Sequence, residues 1–463
     1  MNRNDRLIVG LVMLGHALVH TYELSIPVLV TVWLDQFGAS AATMGLVVTV
    51  GYALFGLGAL PGGILADAVG SRRMIAACLA GMGLSFVVLG LAGGLPSIAL
   101  ALLIWGAAAS VYHPSGLALI SRGVTDRPTG FAYHGMAGNA GIAFGPLATT
   151  VLLVVFGWRT VVVLLAIPAA LGTVLALWAD FDEKAATPGA AESADGVADH
   201  SGSDGSDGGE EVRADGAAGG DGPEDGPPVA EDGSVGADPA EEDADPADDG
   251  GRDVAGGVSS LPEFLAGTRA LFVGAFALVF LVMVSSGLYY RGVLTFLPEI
   301  LAGFEGFEPV EVGGRTLEPS RFAYVGLLTV GMAGQFAGGR LTGVVDPARG
   351  IVGAFAGLAV LGLVFVPASE AGLGVLAVVG VALGFTLFLV QPMYQELVAR
   401  LTPSGTRGLS YGYAYLGVFG VGAFGGAIAG WILTHTSATT LFGVLAAVAL
   451  FAAGLGVVLS FRD

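Results

Sequence analysis

Gly62-Gly63-Ile64-Leu65-Ala66-Asp67-Ala68-Val69-Gly70-Ser71-Arg72-Arg73 sits at a break between two long apolar runs, and its order of residue types decides how the rest of the chain is read. Small residues let helices approach closely, an acid is followed three residues later by a glycine for the turn, and paired arginines end the stretch. This is the pattern of a tight loop at a membrane face, with its charges kept out of lipid. A bilayer crossing needs about 20 mostly apolar residues. By that measure six spans precede the acidic tract, at 7–33, 42–66, 74–95, 97–121, 131–156 and 160–179, and the quoted loop joins the second to the third. Six more follow it, at 270–296, 322–341, 351–366, 372–398, 409–433 and 438–459, with a longer acidic loop at 299–321.

Composition agrees with a chain made mainly of membrane helices. The 463 residues are 54% hydrophobic and 13% charged, with mean hydropathy +0.76, too apolar for an ordinary soluble protein. The formal net charge of −20 belongs to one segment: between Asp180 and Asp253 there are 24 acidic residues against 3 basic, leaving the remainder near +1. That segment is Gly, Ala, Asp, Glu, Ser and Pro with almost nothing to bury, so it reads as a disordered, self-repelling linker. The expected organisation is an all-α integral membrane protein with a six-helix bundle at 1–179, a linker at 180–260 and a second bundle at 261–463. Lysine occurs only at Lys184, and dense carboxylates with so little lysine suit a cytoplasm rich in salt. The single cysteine, Cys78, permits no internal disulfide and no cysteine-based metal site. The N-terminal apolar run continues to about Trp33, too long for a secretory signal, and reads as the first span.

Arginines in short loops set the orientation. Arg3, Arg6, Arg72, Arg73, Arg122, Arg127, Arg349, Arg400, Arg407 and Arg462 fall on one side, so both termini and the linker are expected in the cytoplasm and the protein in the plasma membrane. Trp33, Trp158, Trp178 and Trp431 lie near span ends and read as interfacial anchors. The stretch 337–346 holds, after the eighth span, the place that 61–70 holds after the second, the mark of a parallel six-helix repeat with substrate bound between the halves.

Ionisable side chains at membrane depth cost about 2.5–3.5 kcal/mol on insertion scales and so are functional candidates. His16 and His20 are four apart on one helix face, and Glu23 lies three beyond His20. An imidazole beside a carboxylate makes a proton site, with Glu23 as carrier and the histidines tuning it. The competing reading pairs Glu23 permanently with Arg291 of the seventh span; Arg291, between Tyr290 and Gly292, otherwise clamps an anionic group. His113 and His134 are further candidates for the path, and Asn139 for hydrogen bonding to substrate. The His16/His20 spacing also suits a metal, but no further soft ligand accompanies it in sequence, and none is expected to bind.

The pattern Gly63-x-x-x-Asp67-x-x-Gly70-x-Arg72-Arg73 resembles the signature that the major facilitator superfamily carries between its second and third helices. The twelve spans, the even split and the central linker fit that family along the whole chain. Gly141 and Gly145-Pro146 in the fifth span resemble the Gly-x-x-x-Gly-Pro motif of its antiporter branches, where a bend could help one half rock. His16 with Tyr22, Tyr112-His113-Pro114, Gly138-Asn139 and Thr295-Phe296-Leu297-Pro298 resemble the fosmidomycin-resistance type of efflux protein. Two departures stand out: His20 occupies a place where an Asp is expected, and the fourth span lacks the arginine of many drug/proton antiporters. The resemblance implies alternating access, proton-coupled antiport of a small organic or drug-like compound, and a cytoplasmic gate in which Asp67 accepts hydrogen bonds from an arginine or a helix N-terminus. The alternatives are a proton- or sodium-coupled symporter for an organic anion, and a non-transporting receptor. No nucleophile–base pair or phosphate cradle suggests an enzyme, and no cofactor or nucleic-acid partner is expected of this monomer; its partners are the small-molecule substrate, a proton and the lipid bilayer.

Overall fold

A computed structural model describes residues 1–186, 261–402 and 406–461; the tract read as disordered lies outside these, apart from 180–186. The first span is α1 (Arg3–Phe37), opened by Asn2, whose side chain accepts from the Asp5 N–H, and closed by Gly38 at φ +56°. The second is broken at Gly58 into α2 (Ala41–Leu57) and α3 (Ala59–Val69), whose axes differ by 41°. Helix runs on through most of the expected loop, and the turn itself is Gly70 alone, at φ +96°, before α4 (Ser71–Gly90) begins. Only glycine takes that backbone region without strain. The fourth span is also interrupted, between α5 (Leu95–Ser110) and α6 (Tyr112–Gly123), because Pro114 has no N–H to offer the Ser110 carbonyl. The half closes with α7 (Arg127–Leu153) and α8 (Trp158–Trp178).

After the linker come α9 (Leu261–Val273), α10 (Phe276–Leu294) and the short α11 (Leu297–Ala302). The region expected as a plain acidic loop holds α11 and an antiparallel hairpin, β1 (Val310–Val312) with β2 (Arg315–Leu317). Gly313 and Gly314, at φ +59° and +75°, supply its two-residue turn. Then follow α12 (Pro319–Leu341), α13 (Pro347–Glu370), α14 (Leu373–Leu401), α15 (Arg407–Tyr415), a π-helical turn at Leu416–Val421, α16 (Phe424–His435) and α17 (Ala438–Ser460). Ten helices among the described residues are long and apolar enough to cross a membrane, or eleven with the bent α2–α3 pair. The remaining expected span is α12, whose 23 residues include Arg321, Gln335 and Arg340.

Glycines set the closest helix contacts. In α7, a Cβ on Gly141 would collide with the Ala17 carbonyl and one on Gly145 with the Thr21 carbonyl, so α7 lies directly on the α1 backbone. The two halves meet the same way, Gly45 of α2 against Gly426 and Gly56 against Gly420 of the π turn. Two of the expected interfacial tryptophans are not anchors: Trp33 and Trp158 are buried edge to face, with centroids 5.9 Å apart, because α1 and α8 turn these rings toward each other. Trp178 and Trp431 are exposed, as anchors are.

Candidate functional site

Three spans of the first half, those of α2, α6 and α7, and two of the second, those of α10 and α15, converge on α1. Glu23, wholly buried, accepts from Nη2 of Arg291 in α10 through Oε1, joining the halves. Its Oε2 lies 2.6 Å from His20 Nδ1. His20 Nε2 lies 3.1 Å from His16 Nε2, and His16 Nδ1 lies 2.7 Å from the backbone carbonyl of His134 in α7. The result is one continuous chain, Arg291–Glu23–His20–His16–His134, in which the (i, i+3) and (i, i+4) spacings on α1 do the stacking.

Packing fixes each ring. His16 stacks on His134 at 3.9 Å between centroids and meets His113 edge to face at 5.2 Å. The absence of a Cβ on Gly138 makes room for the His16 ring. His113, at the break before Pro114, faces the other half, with its ring 4.7 Å from that of Tyr415. Arg291 lies flat on Tyr52 of α2, 3.6 Å from the ring centroid, while the Tyr52 hydroxyl donates to the Glu23 backbone carbonyl at 2.8 Å. A cation on an aromatic face with its own counter-ion is how a guanidinium tolerates such burial.

Glu23 is thus paired with Arg291 and also contacts His20, so both partners that the sequence offered it are in place. Arg291 Nε and His134 Nε2 have no hydrogen-bond partner among the described residues. Asn139 is half-buried beside Gly138 and does not join the chain. Tyr22 and Tyr112 serve packing, donating to the carbonyls of Leu165 and Val12 respectively. Tyr52 was missed in the sequence; its signal was a hydroxyl at the middle of an otherwise apolar span.

The third soft ligand that the sequence lacked comes from the fold: nitrogens of His16, His20 and His113 all lie within 4.8 Å of one another. Nδ1 of His16 and of His20 already faces the His134 carbonyl and Glu23 respectively, and Glu23 is paired with Arg291, so an ion there would meet imidazole nitrogens and no free carboxylate.

At the arginine-bearing loop, the Asp67 side chain lies outside the described residues. Glu183 instead caps α4, its Oε2 accepting from Ser71 N–H at 2.8 Å and Arg72 N–H at 3.3 Å, beside Gly70. Arg72 donates to the Ala179 carbonyl at 2.6 Å, Arg73 is exposed, and Gly63 touches Pro114. In α7, Gly141, Gly145 and Pro146 are buried against α1.

Helical spans gathered in two halves around a buried ionic network define a multi-pass membrane protein. A family model described as Major Facilitator Superfamily matches residues 11–422, and the chain belongs to that superfamily. Among solved structures it is similar to the nucleoside transporter NupG, at 11% identity and TM-score 0.67 over 98% of this chain and 99% of that one. A bacterial homologue of the human lysosomal transporter Spinster, inward-facing and occupied, gives 13% and 0.66 over 100% and 98%. A D-xylose–proton symporter gives 14% and 0.66 over 98% and 97%. Among curated proteins none matches the chain.

Proposed function

We propose that the protein is a proton-coupled secondary transporter that exports a small organic compound by alternating access, in exchange for protons. The observation that carries this reading is the continuous chain from Arg291 through Glu23 and His20 to His16, which places titratable groups on the contact between the halves. A proton arriving there changes the charge that holds the halves together, which is what coupling requires. His113 and His134 complete the path and Asn139 offers a substrate contact. Gly63, Asp67, Gly70, Arg72 and Arg73 form the cytoplasmic gate, and Gly141, Gly145 and Pro146 the bend of the fifth span. The protein works as a monomer in the plasma membrane, with both termini in the cytoplasm.

In liposomes with an acid interior and high salt, candidate substrates should dissipate the pH gradient, and Glu23→Gln should do so more slowly. If no substrate dissipates it and Glu23→Gln matches wild type, the reading is wrong. A second reading, proton-coupled symport of an organic anion, is favoured by the unpartnered Nε of Arg291. Counterflow with labelled organic acids separates the two.

A further inference from the structure

The hydrogen-bond chain can be counted proton by proton. A carbonyl oxygen only accepts, so the 2.7 Å contact with His134 O requires a hydrogen on His16 Nδ1. Glu23 Oε1 accepts from the Arg291 guanidinium, as a carboxylate does. The 2.6 Å contact with Glu23 Oε2 therefore requires a hydrogen on His20 Nδ1. With both rings neutral, each Nε2 would carry a lone pair, and these two atoms face each other at 3.1 Å. Two acceptors do not attract at that separation. One further proton, on either Nε2, turns the clash into an N–H···N bond and completes every contact along the chain.

We infer that the coupling proton is held between the two imidazoles of His16 and His20, with Glu23 a positioning residue that draws it toward His20 and not the carrier itself. This rests on the proton-coupled reading above and offers the imidazole pair in place of Glu23 as the carrier. The groups facing the pair are Tyr112 and His113 from the fourth span, His134 from the fifth, Glu23 on α1 itself and, across the interface, Arg291 behind Glu23 and Tyr415 behind His113. Glu23 is the one carboxylate among them, and a second proton would set N–H against N–H across the same 3.1 Å contact. The site takes one proton. Its loss leaves lone pair against lone pair and drives the rings apart. His16 is tied to the α7 backbone by its Nδ1 bond and packed over Gly138, so the separation is transmitted to the contact between α1 and α7.

The test is nitrogen-15 magic-angle-spinning NMR of the full chain, histidine-labelled and reconstituted in lipid, recorded as the pH is lowered. Wild type should show a direct coupling between two Nε2 nitrogens through one shared hydrogen, and no infrared carbonyl band of a buried protonated carboxyl. His16→Gln and His20→Gln should each abolish the coupling. Both should lower proton-coupled flux roughly a hundredfold or more, the scale of removing a general acid–base group, while proton-independent counterflow continues. Glu23→Gln should slow transport yet keep the shared hydrogen and the ratio of protons to substrate. A protonated-carboxyl band that vanishes in Glu23→Gln, with no Nε2–Nε2 coupling in wild type, would overturn the inference; this comparison needs neither histidine variant to fold. The spectra need no substrate and no gradient, so they stand or fall separately from the transport assay.

Discussion

At the scale of single residues, the energetics turn on Glu23 and Arg291, both almost wholly buried, at 0% and 1% exposure. Removing one member of such a pair strands the other charge, which costs about 3–5 kcal/mol, far more than the pair itself contributes over a neutral equivalent. Arg291→Gln should therefore lower the thermal midpoint in detergent sharply, and the double variant Glu23→Gln/Arg291→Gln should recover most of the loss. Equal destabilisation in the single and double variants would show that the pair is not desolvated as described. The α1 part of this network was legible from spacing, because residues three and four apart share a helix face whatever the tertiary structure. Tyr52, and the contacts of His113 and His134, were not. Which way those side chains point depends on how α2, α6 and α7 are rotated about their axes, and hydropathy runs carry no such information when a span is apolar all round.

At the scale of elements, both halves must satisfy the free N–H groups at the start of the third helix of each half, and they do so differently. In the second half Asp346 caps its own helix, accepting from the Arg349 N–H at 3.0 Å. In the first half the residue before α4 is Gly70, which has no side chain, and the acceptor is Glu183, supplied from beyond the sixth span. Residues that composition assigned wholly to a solvated linker thus hold a helix end in place. Asn4 adds to the strap by donating to the Asp182 carbonyl at 3.1 Å. Glu183→Ala should cost about 1 kcal/mol, the usual worth of an N-cap, and Glu183→Gln, which keeps an acceptor oxygen, should cost less. Equal midpoints for wild type and Glu183→Ala in thermal unfolding would refute the cap. Sequence placed the third span from 74, three residues past the helix start at Ser71, and a cap delivered from more than a hundred residues away leaves no local signature. The breaks divide in the same way. Pro114 announces the one at Val111, whereas the π turn at Leu416–Val421 contains Gly417 and Gly420 but no proline, and packs closely on Gly56.

At the scale of the whole molecule, spans in two sets were readable because the bilayer imposes length and hydropathy on each; of the twelve expected, ten meet both among the described residues, or eleven with the bent α2–α3 pair. The state of the molecule was not readable, since it depends on contacts between the sets. The halves touch at both ends. Away from the arginine-bearing face, the Ala42 N–H donates to Thr434 Oγ1 at 2.8 Å, and Arg321 Nε donates to Thr31 Oγ1 at 3.1 Å. At the opposite end Leu60 packs on Gly412, and Gly56 on Gly420. A cavity of about 520 Å³ opens at the former end, lined by Asp35 and Glu299 among others. Alternating access requires these two sets of contacts to part in turn and never together. The only cysteine, Cys78, is buried, so introduced pairs can be oxidised without a competing thiol. Cysteines at Ala42 with Thr434, or at Leu60 with Gly412, should each stop net transport when oxidised, and reduction should restore it. Either pair alone must suffice, because a carrier locked shut at one face can bind there no longer, and one locked shut at the other cannot release. Transport that continues through a fully oxidised pair would mean that its end of the interface does not open, and the exchange cycle would have to be rebuilt around a different route.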